Sequence, residues 1–163
     1  MKPGHIIVVS LLLVGLSAGV ADAQIALRGG GGLIFEGKQV GGHVSVVLPF
    51  SSKAAGVMLA AEYFKKSGVT TIPVSARGLY RAPVGEKASL YLGVGSGMIY
   101  TKLPSGAISR SSTKVLLSGV AGLNIKFSGP LGLFGEVTMD RGLASGEENN
   151  LAAKAGISLT LSE

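Results

Sequence analysis

The chain has 163 residues, with 15 lysines and arginines against 9 aspartates and glutamates, a net charge of +6, and no cysteine. The missing cysteines exclude a disulfide framework and a thiolate metal site, so stability has to come from packing or from a membrane. The basic residues form no cluster interleaved with aromatics, which argues against nucleic acid and favours attraction to anionic lipid headgroups or lipopolysaccharide phosphates.

The first element is a targeting segment. Met1 to His5 carries one positive charge at Lys2, an apolar run follows from Ile6 to Leu16, and small residues lead into Ala21-Asp22-Ala23. A charged start, a short apolar stretch and an A-x-A end are the marks of a secretory signal peptide. The run is too short for a membrane-spanning helix, which needs about 20 apolar residues. Cleavage is expected after Ala23, leaving one domain over residues 24–163. A buried N-terminal helix is the alternative reading of the segment.

Beyond Ala23 the apolar period is two residues rather than the helical 3.6. Strands are predicted at 25–35, 39–48, 55–64, 72–81, 88–101, 113–127, 131–140 and 151–161. The last is the clearest: Leu151, Ala153, Ala155, Ile157, Leu159 and Leu161 alternate with Ala152, Lys154, Gly156, Ser158 and Thr160. The sixth sets Val115, Leu117, Ala121, Leu123, Ile125 and Phe127 against Ser118, Gly122, Asn124 and Lys126. The fifth sets Leu90, Leu92, Val94, Met98 and Tyr100 against Ser89, Tyr91, Gly93, Gly95 and Gly97. No second long apolar stretch exists, so a membrane-embedded chain must be a closed barrel, which satisfies its backbone between strands.

The connections alternate in character. Pro49 to Lys53, Ala82 to Lys87 and Ser128 to Pro130 are short, whereas Lys65 to Thr71, Lys102 to Ser112 and Arg141 to Asn150 read as longer polar loops. Glu36 to Lys38 is a short tip that breaks the rhythm. Short inner turns and longer outer loops suit an outer-membrane barrel with both termini in the periplasm.

Alternation also fits a soluble lipocalin-like barrel with apolar residues inside. The two faces separate these readings. One face carries no charge in any predicted strand, as a lipid-facing band requires. The other is mostly Gly, Ala and Ser, with isolated Arg28, His43, Glu62, Arg77, Arg81, Lys126, Glu136 and Lys154. Small residues with a few charges of both signs suit a narrow lumen, where bulky groups from eight strands cannot all fit. Phe35, Tyr63, Tyr80, Tyr100 and Phe127 lie near strand ends on the apolar parity, where an interfacial aromatic girdle belongs. The expected fold is an all-β, eight-stranded, antiparallel up-and-down transmembrane barrel.

The chain resembles the small outer-membrane β-barrel domains of the OmpA- and OmpX-like kind. The resemblance runs from Gln24 to Glu163 and rests on the signal peptide, the Gly-rich opening strand Ile25 to Phe35, and the closing pair Leu133–Asp140 and Asn150–Leu161. It implies location in the cell outer membrane, insertion by the barrel-assembly machinery, contact with outer-membrane lipids and lipopolysaccharide, and a monomer. Such domains often end on an aromatic residue that the machinery reads, whereas this chain ends Leu161-Ser162-Glu163.

Little in the sequence suggests catalysis. His43 and Ser45 share a strand face, with Glu62 on the next strand at the same parity, the residue types of a Ser–His–acid site. The parity puts them in the lumen, away from acyl chains, so a hydrogen-bonded pair is expected and no enzyme. No cofactor is expected, and with His43 the only histidine after His5, no metal site. The glycines at 29–32 and 93–97 resemble phosphate loops but continue into no helix, and read as wall glycines. The expectation is a plugged barrel with a structural or surface-interaction role, its excess of cations biasing any residual conductance toward anions. The alternatives are a small channel or transporter for minor solutes, and a secreted soluble ligand binder.

Overall fold

A computed structural model describes residues 24–50, 54–103, 110–143 and 149–161; the predicted signal peptide, Met1–Ala23, and the final Ser162-Glu163 lie outside them. The described chain is eight strands: β1 (Ile25–Ile34), β2 (Gln39–Pro49), β3 (Ala55–Lys66), β4 (Val69–Val84), β5 (Ala88–Leu103), β6 (Arg110–Ser128), β7 (Leu131–Gly142) and β8 (Asn149–Leu161). Each pairs antiparallel with the next, and β8 returns to β1, closing the barrel. Closure leaves no strand edge unpaired, which is what a sheet crossing hydrocarbon must achieve.

Two-residue alternation makes one wall of each strand apolar. Outward positions such as Leu27, Val44, Tyr63, Val74, Leu92, Val94, Met98, Leu117, Leu133 and Ile157 are exposed, while their neighbours in sequence turn inward. Inside the strand spans between the girdle residues, the outward positions carry no charge, and the exposed outer face is the apolar one. A water-soluble barrel has the reverse arrangement.

The loops differ from expectation. β3 and β4 extend to Lys66 and Val69, so the predicted Lys65–Thr71 loop shrinks to the turn Ser67-Gly68. Both turn residues have positive φ, 48° and 84°, the requirement of the tight hairpin turns that match strand twist. β5 and β6 likewise advance to Leu103 and Arg110, and β7 and β8 to Gly142 and Asn149, into segments read as loops. Residues 104–109 and 144–148 lie outside the described chain. Valine and threonine after Ser67-Gly68 favour strand pairing, and that preference outweighs the polarity that suggested a loop.

The seam between β1 and β8 depends on glycine. Gly30 faces Gly156 in register. A Cβ on Gly30 would lie 2.1 Å from the Ala155 carbonyl oxygen, and one on Gly156 would lie 2.2 Å from that of Gly29. Gly156→Val is expected to destabilise the barrel by about 1–3 kcal/mol, the usual cost of overpacking. The urea midpoint for loss of heat-modifiable gel mobility measures this; an unchanged midpoint would mean that the seam relaxes freely.

Candidate functional site

The interior is the part of the molecule where chemistry-bearing side chains converge. β1 supplies Arg28, β2 His43 and Ser45, β3 Glu62, β4 Arg77, β6 Ser118, β7 Glu136 and Asp140, and β8 Lys154, all buried. Each stands on the inward parity of its strand, and β5 adds Tyr91 on the same logic.

The groups form one connected network. Lys154 Nζ donates to Glu62 Oε1 and lies 3.8 Å from Glu136 Oε1. Arg77 Nη2 is 3.6 Å from Glu62 and 3.7 Å from Asp140. Its Nε donates to Ser118 Oγ at 2.6 Å, and Ser118 donates onward to Asp140. Arg28 lies 3.8 Å from Glu136, which also accepts the Tyr91 hydroxyl at 2.8 Å. The Arg28 guanidinium stacks 4.4 Å from the Tyr91 ring centroid and 5.5 Å from that of Phe134. Among the described residues, the fully buried charges are Arg28, Arg77 and Lys154 against Glu62, Glu136 and Asp140. The signs balance. Balance matters because a buried charge without a partner is strongly destabilising, whereas a paired one is near neutral.

Apolar layers sit on either side. Ala26, Val47, Met58, Leu79, Tyr91 and Val120 form a cluster toward the end where β1 begins and β8 ends. Ile34, Phe64 and Ala152 form a second toward the opposite end.

Six predicted interior residues, Arg28, His43, Glu62, Arg77, Glu136 and Lys154, are thus brought together. Two are not. Arg81 keeps the inward parity but is only half-buried, and Lys126 is exposed at the barrel end beside an irregularity in the β6–β7 register. Cations in excess of the carboxylates therefore lie outside the network, so the expected positive bias of the interior is absent from its core. Asp140, also expected from its parity to oppose the interior cations, joins them beside Arg77; Ser118, Tyr91 and Phe134 had no role in the sequence reading, and their inward parity was the available signal.

His43 also joins Ser45 and Glu62, as the parity predicts. Its Nε2 lies 3.1 Å from Ser45 Oγ and its Nδ1 3.7 Å from Glu62 Oε1. Nε2 is equally within 3.8 Å of Glu136, and the ring leans on Phe134 at 5.6 Å. Among the described residues, no group of His, Asp and Glu has the spacing to hold a metal ion.

On the outer wall, Phe35, Tyr63 and Tyr100 lie at one end, and Tyr80 and Phe127 toward the other, all exposed. Phe50, exposed just after β2, joins the second group. It was missed because Pro49 marked the start of a turn.

No family model matches the chain, and no curated protein sequence is similar to it. Solved structures are similar in fold. The N-terminal β-barrel domain of Pseudomonas aeruginosa OprF aligns over 85% of this chain and 97% of its own, with a TM-score of 0.70 and 14% identity. The chain has the fold of the small eight-stranded outer-membrane β-barrels. Neisserial surface protein A, an outer-membrane barrel of the same fold, covers 86% of this chain and 96% of its own at TM-score 0.60 and 12% identity. Ail, the attachment invasion locus protein of Yersinia pestis, solved with the heparin analogue sucrose octasulfate, covers 86% and 98% at TM-score 0.59 and 15% identity. The outer-membrane barrel fold agrees with the charge-free outer wall and opposes the soluble lipocalin-like alternative.

Proposed function

We propose that the protein resides in the outer membrane as a closed, monomeric barrel with a structural or surface-interaction role, inserted by the barrel-assembly machinery. The observation that carries this reading is the charge-balanced interior network held between two apolar clusters. An ion entering the lumen would have to displace paired charges and pass the apolar clusters that flank them. The short turns Phe35–Lys38 and Ser67-Gly68 favour an anchor over a large adhesive surface, while Ail provides a precedent for ligand contact on this fold.

Planar-bilayer recording tests the closed lumen. The expected trace lacks a large, steady open level; a persistent, non-selective conductance would replace this reading with the channel.

The same enclosure argues against catalysis. Ser45 is buried, and Glu62 is committed to Lys154 and Arg77 as well as His43. A fluorophosphonate probe is expected to leave the folded protein unlabelled. Stoichiometric labelling that disappears in Ser45→Ala would restore an enzyme.

A further inference from the structure

The outward wall is not symmetric from end to end. At the β3–β4 hairpin end, outward positions continue past the girdle into cations. Lys65 follows Tyr63 by two residues, Lys102 follows Tyr100, and Arg141 follows Met139, and all three cations are exposed. At the end where β1 begins, the outward strand positions are Ile25, Val84, Ala88, Phe127, Leu131 and Leu161, with no charge among them.

Two of these cations share one row. Thr70 pairs with Lys65 on one side and with Lys102 on the other. Neighbouring strands lie about 4.8 Å apart, so the two lysine backbones stand about 10 Å apart across the threonine. Lys102 in turn pairs with Ser111. The row therefore reads Lys65, Thr70, Lys102, Ser111, two ammonium groups and two hydroxyls side by side on the outer wall. Directly toward the membrane lie Tyr63, and Ile72 paired with Tyr100. No carboxylate among the described residues pairs with Lys65 or Lys102, although like-charged lysines this close gain from a counter-anion.

We propose that Lys65, Thr70 and Lys102 form a docking site for the phosphate of an anionic lipid headgroup, with Tyr63, Ile72 and Tyr100 receiving its acyl chains. The inference rests on the proposal that the barrel spans an outer membrane, and it orients the barrel with the Ser67-Gly68 hairpin in the leaflet richest in lipid phosphate. The side chains emerge from the wall one outward position beyond the aromatic girdle, the level of headgroups above acyl chains, which fits a lipid rather than a soluble polyanion approaching from above. Cations near an anionic membrane surface act by charge and fall off within a Debye length, so salt should weaken the site.

The test uses the full-length mature barrel in non-ionic detergent, titrated with bisphosphoryl lipid A, dephosphorylated lipid A or heparin, and read by the midpoint for loss of heat-modifiable mobility. Lys65→Gln/Lys102→Gln is compared with Lys87→Gln/Lys126→Gln at the opposite end. The site predicts a rise in midpoint with bisphosphoryl lipid A only, and an apparent affinity reduced about tenfold or more in the first double variant alone. Both variants change exposed residues, and equal midpoints without lipid show that folding is intact. Equal lipid affinity in the two variants overturns the site, as does a response to heparin in place of lipid A. Cell fractionation is run in parallel, because extraction without detergent would defeat the outer-membrane reading itself, whereas a membrane-integrated barrel indifferent to Lys65 and Lys102 defeats the lipid site alone.

Discussion

Glu62→Leu is expected to destabilise the barrel by about 3–5 kcal/mol, the cost of removing one partner from a buried ion pair. Glu62 is the carboxylate shared by Lys154, Arg77 and His43. Its loss leaves Lys154 with only the more distant Glu136, and Arg77 with Asp140. Urea denaturation followed by far-ultraviolet circular dichroism and by gel mobility reads the effect. The double variant Glu62→Leu/Lys154→Leu should recover much of the loss, because replacing both partners with apolar groups removes the stranded charge. A single variant within about 0.5 kcal/mol of the parent, a shift typical of surface substitutions, would show that water reaches the network, and the closed lumen would fall with it.

The second large effect belongs to the outer wall. Val94 stands in the middle of β5, paired with Gly78 and Gly119, and is 76% exposed. In water, an exposed valine accepts lysine at little cost. At the middle of a bilayer the same change costs roughly 2–4 kcal/mol. Val94→Lys is therefore expected to lower folding stability in lipid vesicles by that amount. Ser96→Lys, one outward position further along β5, should lie in the same range if the band is continuous. Indifference at both positions would return the chain to the soluble alternative.

How far the sequence alone carries depends on which interactions set each feature. The β8 alternation from Leu151 to Leu161 was legible because the two walls meet different media, and the pattern is local. The same holds for the inward parity of Arg28, His43, Glu62, Arg77, Glu136 and Lys154. Their pairing was not legible. Glu62 and Lys154 are 92 positions apart and meet across the lumen only through the register of every intervening strand. Lys126 shows the opposite limit: its parity was right, but the register irregularity beside it and its place at the barrel end leave it in the open. Ser67-Gly68 was read as part of a loop because its flanks are polar, although a dipeptide of this kind before Val69-Thr70-Thr71-Ile72 is a hairpin signal. Asp140 could be placed on the inner wall, yet its bond from Ser118 depended on β6 and β7 pairing at that level.

The β1–β8 seam has a consequence for the order of events in assembly. Every other strand pair joins neighbours in sequence, so it can form by local zipping. The seam joins Ile25 to Leu161 and can close only after the rest of the sheet has curled, which makes it the contact with the longest chain loop and the slowest to be found. Until then β1 and β8 are open edges, able to pair with another unfinished sheet. The glycine pair at the seam offers no bulky side chain to slow the final approach, so a chain delayed at this step would spend its vulnerability in time, not in stability.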